Sequence, residues 1–493
     1  MTQEQIDSLG ATSLKPFNHI IDGRPLPASD GGTMPIISPL DGRVLTTCAR
    51  GTRDDAEAAV QAARRAFDDG SWSGLAPAER KKILLKWADL IEAQALAIAV
   101  LGVRNNGTEI GMALKAEPLS AAATLRYYAE AIDKITGEIA PTDPAFLGLV
   151  HREPAGVIAA IVPWNFPLMI AAWKFAPALA AGCTMVLKPA ETASLSLLRI
   201  AELAIEAGLP PGVFNVITGE GAVVGAHLAE SMDVDVLVFT GSGGTGRRLL
   251  EAAARSNLKR VYLELGGKSP NVVFADAPNL DEAAKVAVQG IFRNSGQVCI
   301  AGSRILVERS IHKDFVEKLA AHASAMKVGN PLDLATQAGA INSERQLMQN
   351  LGFVAEARAN GCTVLGGERI LQDTGGFYMA PAIVADASPS DRVFRDEVFG
   401  PVVTVTPFDT EAEAMTLANA TNYGLAAAVW TANLSRAHRM VRGIKAGLVH
   451  VNTYGGSDLT VPLGGVKQSG NGHDKSLHAF DKFLDLKTAW IKL

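Results

Sequence analysis

The sequence predicts an α/β protein built from two successive, doubly wound blocks of parallel sheet. Three observations carry that expectation. From Gly156 onward, short apolar runs alternate with helical segments, a βαβ rhythm that covers a parallel sheet on both faces. After Gly267 a second series of the same kind begins, with its own sheet. The 493 residues leave room for about three domains at roughly 150 residues each.

The elements follow in order. Asp54 and Asp55 precede Ala56, Ala59, Val60, Ala63 and Phe67, whose spacing of three and four is helical. Pro77 opens a second helix, where its missing N–H costs nothing, with Leu84, Trp87, Ala88 and Ile91 as the apolar face. Residues 156–162, 184–187, 213–217, 236–239 and 261–263 read as buried strands. Residues 168–181, 194–207 and 247–254 read as helices between them. In the second block 271–274 and 303–307 are strands, and the tail 486–493 is a terminal strand with imperfect alternation.

The bulk composition excludes several classes. Hydrophobic residues make up 48% and charged residues 20%, ordinary for a packed globular chain. The formal net charge is −5 and no basic block stands out, which argues against a nucleic-acid partner. Cys48, Cys183, Cys299 and Cys362 show neither disulfide nor zinc-ligand spacing, so a reducing, cytoplasmic setting without a metal is expected. The polar start, Met1 to Asp7, lacks the pattern of a secretory signal. Residues 156–182 are interrupted only by Asn165 and Lys174. However, Pro163, Pro167 and Pro177 divide them into pieces too short for the ~20 helical residues of a membrane span.

Three motifs carry chemistry. Cys299 lies in the Gly-flanked stretch from Asn294 to Arg304. Glu264, 35 positions earlier, lies in Leu263-Glu264-Leu265-Gly266-Gly267-Lys268. Pro163-Trp164-Asn165-Phe166-Pro167 supplies a side-chain amide. A thiol attacks a carbonyl, a carboxylate activates water to release the acyl group, and an amide stabilises an oxyanion. A lowered thiol pKa would help the attack. Gly241-Ser242-Gly243-Gly244-Thr245-Gly246 satisfies GxGxxG between a strand and a helix, a turn that can hold a phosphate. Two acids compete for the ribose hydroxyls, Glu264 and Glu191, and the residue pattern alone does not choose. Either one favours NAD over NADP.

These motifs, together with Leu187-Lys188-Pro189-Ala190-Glu191, Glu397-Val398-Phe399-Gly400-Pro401 and Asn422-Tyr423-Gly424-Leu425, resemble the aldehyde dehydrogenase superfamily from about Phe17 to the C-terminus. Within it, Gln297–Gly302, Val466–Gly472 and Lys475–His478 are similar to the bacterial γ-glutamyl-γ-aminobutyraldehyde dehydrogenases of putrescine breakdown. The resemblance implies an NAD-binding domain (1–134 and 154–266), a catalytic domain (267–476) and a small β arm (135–153 and 477–493) that joins subunits into a homodimer or homotetramer. It implies Cys299 as nucleophile, Glu264 as base, Asn165 and the Cys299 N–H as oxyanion donors, and Lys174 and Gln297 as supporting polar groups. It assigns Trp164, Lys188, Glu191, Gly241, Ser242, Gly246, Leu265, Glu397 and Phe399 to NAD, with Glu191 rather than Glu264 at the ribose. Phe166, Trp173, Arg293, Val298 and Leu463 are expected at the substrate. The implied reaction is NAD-dependent oxidation of an aliphatic, ω-amino or γ-glutamylamino aldehyde to its acid. The rival readings are a CoA-acylating enzyme, a broad-range detoxifying enzyme and a silent structural protein on this fold.

Three positions depart from the resemblance: Arg293, Leu463 and His473. Arg293 either narrows and charges the substrate entrance, which suits a carboxylate-bearing aldehyde, or turns to solvent.

Overall fold

A computed structural model describes residues 1–493. Its first seven-stranded sheet runs in the order Arg260–Glu264, Val236–Thr240, Val157–Ile161, Thr184–Lys188, Phe214–Val216, His19–Ile21, Arg24–Leu26. The first five strands are parallel, His19–Ile21 pairs antiparallel to the fifth, and Arg24–Leu26 pairs antiparallel to His19–Ile21. Every residue of Val157–Ile161 and of Thr184–Lys188 is buried, as continuous apolar runs between two helical layers must be. Chain order reverses between Val157–Ile161 and Val236–Thr240. That topological switch point leaves a crevice at the strands' C-terminal ends, where open α/β sheets bind ligands.

The second seven-stranded sheet has the order Thr363–Gly366, Ala382–Ala385, Val402–Phe408, Arg304–Glu308, Pro270–Val273, Ala426–Trp430, Leu448–Val451. Only its first strand is antiparallel. A three-stranded sheet joins Glu138–Ala140, Phe146–Pro154 and Leu484–Lys492, the last two paired over nine residues. The α/β architecture and the arm-like β unit therefore agree with the sequence expectation.

The helix Pro77–Ala93 buries Leu84, Trp87, Ala88 and Ile91, the face its spacing predicts. Trp87 stacks on Phe175 with ring centroids 4.9 Å apart, and its indole N–H donates to Ile200 O at 2.9 Å. This ties the helix to Pro167–Ala181 and Leu195–Ala207. No helix is long and apolar enough to cross a membrane. Residues 156–182 form a buried strand, a turn and a core helix instead.

Boundaries differ in two places. The helix expected at 247–254 begins at Gly243, because Ser242 caps it by accepting from the Thr245 N–H. The helices Ala95–Asn106, Ile110–Leu114 and Ser120–Ala131 form where the sequence reading assigned nothing. Gly107, at φ 87°, ends the first of them, and Pro118 sits in a wide π turn (Lys115–Leu119) leading into the last. These punctuating residues break the periodicity, yet Ser120–Ala131 forms one wall of the cavity described below.

Candidate active site

The cysteine is presented by a turn that the chain adopts only under restraint. Helix Leu280–Phe292 stops at Arg293, which is extended at φ −57°, ψ 150°. Asn294, Ser295 and Gly296 then lie in the left-handed region, at φ 48°, 51° and 73°. For a non-glycine residue that conformation costs on the order of 1–3 kcal/mol and persists only where its surroundings hold it. Here they do. Asn294 N donates to Glu109 Oε1 at 3.1 Å, and Thr108 Oγ1 donates to Asn294 Oδ1 at 2.9 Å. Ser295 Oγ donates to Gly339 O at 2.7 Å. A Cβ on Gly296 would stand 2.1 Å from Gly400 O, so no larger residue fits. Gln297, buried behind the turn, accepts from Asn342 N at 2.8 Å and donates to Asn294 O and Ala340 O.

Asn165 reaches the same turn from the other sheet. It follows Val157–Ile161 and precedes Pro167–Ala181, two elements with little freedom to move. Its Nδ2 donates to Gln297 O at 2.9 Å, which uses one amide hydrogen and leaves the other unengaged. Asn294 Nδ2 answers by donating to Asn165 O at 3.2 Å. Glu117 Oε2 caps the following helix by accepting from Leu168 N at 2.7 Å and Met169 N at 3.2 Å. Burial pushes that carboxyl up to about 8, against the pull of those two N–H groups. Thr108, Glu109, Glu117, Asn294 and Asn342 were not singled out by sequence reasoning. They act through loop packing, which leaves no spacing signal.

Cys299 faces a cavity of about 270 Å³. Phe166, Trp173, Arg293, Val298 and Leu463, the five residues expected at the substrate, all line it. His473, the third departure, is exposed outside it. The thiol lacks the lowered pKa that would help its attack: burial, then the Glu397 and Glu264 carboxylates, push it up to about 12. Burial disfavours a thiolate here, and the two carboxylates beyond the cavity wall add to that.

Glu264 ends the strand Arg260–Glu264 and is 8% exposed, with Oε1 unpartnered. It does not line the Cys299 cavity. It lies in an adjoining buried cluster in which Lys174 and Lys482 both donate to Asp474. Burial first, then Asp474, raise the Glu264 pKa well above the usual carboxylate range, while Lys174 and Lys482 pull it down. The two groups expected in one pocket are thus neighbours in adjoining spaces, close enough for the carboxylate charge to act on the thiol.

The switch-point crevice gathers the residues expected at a cofactor. Ser242 and Gly244 are exposed at the N-terminus of the 13-residue helix Gly243–Arg255, and nothing lies within 4 Å of a Cβ position on Gly244. Such an end suits a pyrophosphate. Gly246 lets the helix pack closely on its strand, since a Cβ there would meet Leu265 at 3.1 Å. A Cβ on Gly241 would meet the Phe239 ring at 2.5 Å. Lys188 is buried at the end of Thr184–Lys188, and its Nζ donates to Glu191 Oε1 at 3.2 Å. Glu191 also accepts from Gly221 N at 2.6 Å and stays half-exposed, available to a ribose diol, whereas Glu264 is turned inward. Glu397 Oε1 accepts from Gly267 N at 3.0 Å, and burial raises its pKa to about 7. Its carboxylate occupies the space a side chain on Gly266 would need. Phe399, left-handed at φ 58°, meets Trp164 edge-on with centroids 5.2 Å apart. An open helix N-terminus, a half-exposed carboxylate and an aromatic pair fit a dinucleotide.

A thiol facing a largely apolar cavity, beside a switch-point crevice that suits a dinucleotide, fits a nicotinamide-dependent oxidoreductase. The chain belongs to the aldehyde dehydrogenase family, whose model matches residues 26–489. It is 48% identical over 475 residues to the NADP/NAD-dependent aldehyde dehydrogenase PuuC of Escherichia coli, covering 96% of this chain and 95% of that one. Among solved structures it superimposes on an indole-3-acetaldehyde dehydrogenase complexed with NAD+ at TM-score 0.98, with 49% identity and full coverage of both chains. It also superimposes on γ-glutamyl-γ-aminobutyraldehyde dehydrogenase from Burkholderia cenocepacia at TM-score 0.97, with 48% identity and full coverage of both.

Proposed function

We propose that this chain oxidises an aldehyde to the carboxylic acid with NAD and water, through a thioester on Cys299. The observation that carries this reading is the exposure of the Cys299 thiol to an apolar cavity, with the Asn165 amide held behind it and a carboxylate within electrostatic reach. The Cys299 thiol passes its proton to the Glu264 carboxylate, which releases it to solvent; the sulfur adds to the aldehyde carbon, and the carbonyl oxygen takes the electron pair as an oxyanion. The unengaged Asn165 amide hydrogen and the Cys299 N–H stabilise that charge; one such donor is worth about 10²–10³ in rate. NAD, when bound, accepts the hydride that turns the adduct into a thioester. Glu264 then takes a proton from water, which attacks the thioester and frees the acid and the thiol. Lys174, tied to Asp474, keeps the base in a polar cluster, and Gln297 braces the nucleophile turn.

Glu191 and Lys188 would hold the adenosine ribose, Gly241, Ser242 and Gly246 the pyrophosphate, Leu265 and Trp164 the crevice walls, and Glu397 and Phe399 the nicotinamide half. The relative named for γ-glutamyl-γ-aminobutyraldehyde supports an aminoaldehyde-like substrate, and the one named for indole-3-acetaldehyde shows that related chains also take an aromatic aldehyde. Residues 1–134 and 154–266 form the NAD-binding domain, 267–476 the catalytic domain, and 135–153 with 477–493 a subunit-joining arm. Exposed Ile139, Leu486 and Trp490 on that arm favour a homodimer or homotetramer.

Aldehyde-dependent NADH formation tests the reading. The native chain should yield NADH and free acid. Cys299→Ala should yield neither, and Glu264→Gln should lose about 10²–10⁴-fold in acid release, the range for a positioned base. Acyl-CoA appearing in place of acid when CoA is added would favour the acylating alternative. The presence of Glu264 speaks against it.

A further inference from the structure

Two cations face the Cys299 cavity and no acid lines it. Arg293 precedes the cysteine by six residues, at the extended end of Leu280–Phe292. Its Nε is buried with no partner, and its guanidinium is in no ion pair. Glu109, the acid whose charge it feels, accepts from Asn294 N through Oε1, while its buried Oε2 has no partner and forms no ion pair with Arg293. Lys475 is buried, and its Nζ donates only to Ser457 O at 2.7 Å and Ser457 Oγ at 2.8 Å. Two acids act on it from nearby: Asp458 is bound to Thr460 and Asp474 is shared by Lys174 and Lys482. Both cations gather at one loop, because Arg293 Nη1 stands 4.0 Å from the Cβ position of Gly455, two residues from Ser457.

Arg293 is half-exposed with its guanidinium unpaired, and Lys475 is buried with only Ser457 to accept from it, so both keep donors and charge for a bound anion. A guanidinium matches a carboxylate with two parallel hydrogen bonds, and an ammonium adds a point charge. The remaining wall, including Phe166, Trp173 and Leu463, is mostly apolar and suits a methylene chain. We infer that Arg293 and Lys475 form a subsite for the carboxylate of an aldehyde that carries an anionic group at its other end. The inference rests on aldehyde oxidation at Cys299.

Steady-state kinetics on the full-length enzyme with NAD decides it. Three unbranched aldehydes of equal length, ending in methyl, ammonium or carboxylate, are compared. The native enzyme should prefer the carboxylate over the ammonium by at least ~10-fold in kcat/KM, the scale of one charge-assisted hydrogen bond. Arg293→Gln should lower kcat/KM for the carboxylate substrate roughly 10- to 100-fold, mainly through KM. It should also reduce the carboxylate-to-methyl ratio. Lys475→Gln should move that ratio in the same direction, and it serves if the first variant does not fold. Equal effects on all three substrates, or no native preference for the anion, would overturn the subsite while leaving aldehyde oxidation standing. Oxidation of none of the three, nor of any other reactive aldehyde, would overturn both.

Discussion

Asp474 is the centre of the buried charge cluster beside Glu264, the proposed base. It is buried, and its oxygens accept from both Lys174 and Lys482, so the cluster holds two cations against Asp474 and Glu264. Lys482 favours the ionised form of Glu264, and burial opposes it. Removing the cation in Lys482→Met therefore raises the Glu264 pKa further. The base form then appears at higher pH, and the acid limb of the kcat profile moves to the alkaline side. Asp474 keeps Lys174 as a partner in that variant, which limits the loss of stability. A profile that stays in place or moves to the acid side would show that the limb belongs to another group. Arg304 illustrates a buried cation of the other kind. It is fully buried, and donates to Lys268 O, Leu417 O and Ala418 O at 2.8–2.9 Å. It stacks over Phe394 at 4.9 Å, so its work is to join strands and loops rather than to meet a substrate.

Among the elements, the left-handed turn at Asn294–Gly296 decides where the thiol points. In Gly296→Ala a methyl group meets Gly400 O and the φ of 73° is strained. Denaturant unfolding should record a loss of more than about 1 kcal/mol, the threshold for alanine forced into a positive φ. Alkylation of Cys299 by a small electrophile should change rate as well, because the turn aims the sulfur. A variant with native stability and native alkylation would mean that the turn adapts freely. Most of this element was legible in part only. Cys299, Asn165 and Glu264 stand out as residue types with chemistry, and their motifs are compact. The hydrogen bonds from Thr108, Glu109 and Asn342 join segments far apart in the chain, so no local pattern encodes them. The sequence also gave no reason to expect the Cys299 pKa to rise, since burial and the approach of Glu397 are properties of the folded site.

For the whole molecule, the strand Leu484–Lys492 pairs along its full length with Phe146–Pro154 and carries exposed Leu486, Trp490 and Ile491. Trp490 stacks on Phe146 with centroids 5.3 Å apart. Deleting residues 484–493 uncovers an unpaired edge and removes apolar surface that the proposed subunit contact needs. Light scattering on the truncated chain should report a smaller assembly or aggregation. An unchanged mass would remove the arm from the proposed interface.

The chain's own order of residues determined the class of fold, because burying a strand on both faces demands an unbroken apolar run, and such runs separated by helical spacing admit a parallel sheet. It also determined which atoms can react, since only certain side chains attack carbonyls or take protons. Only the tertiary structure decided that Arg293 and Lys475 face the thiol's cavity without an acid, that Glu264 rests in a neighbouring cluster of lysines, and that the switch point lies between Val157–Ile161 and Val236–Thr240. Those outcomes depend on distances between segments far apart in the chain, and the charge or solvation of a group is set by those distances.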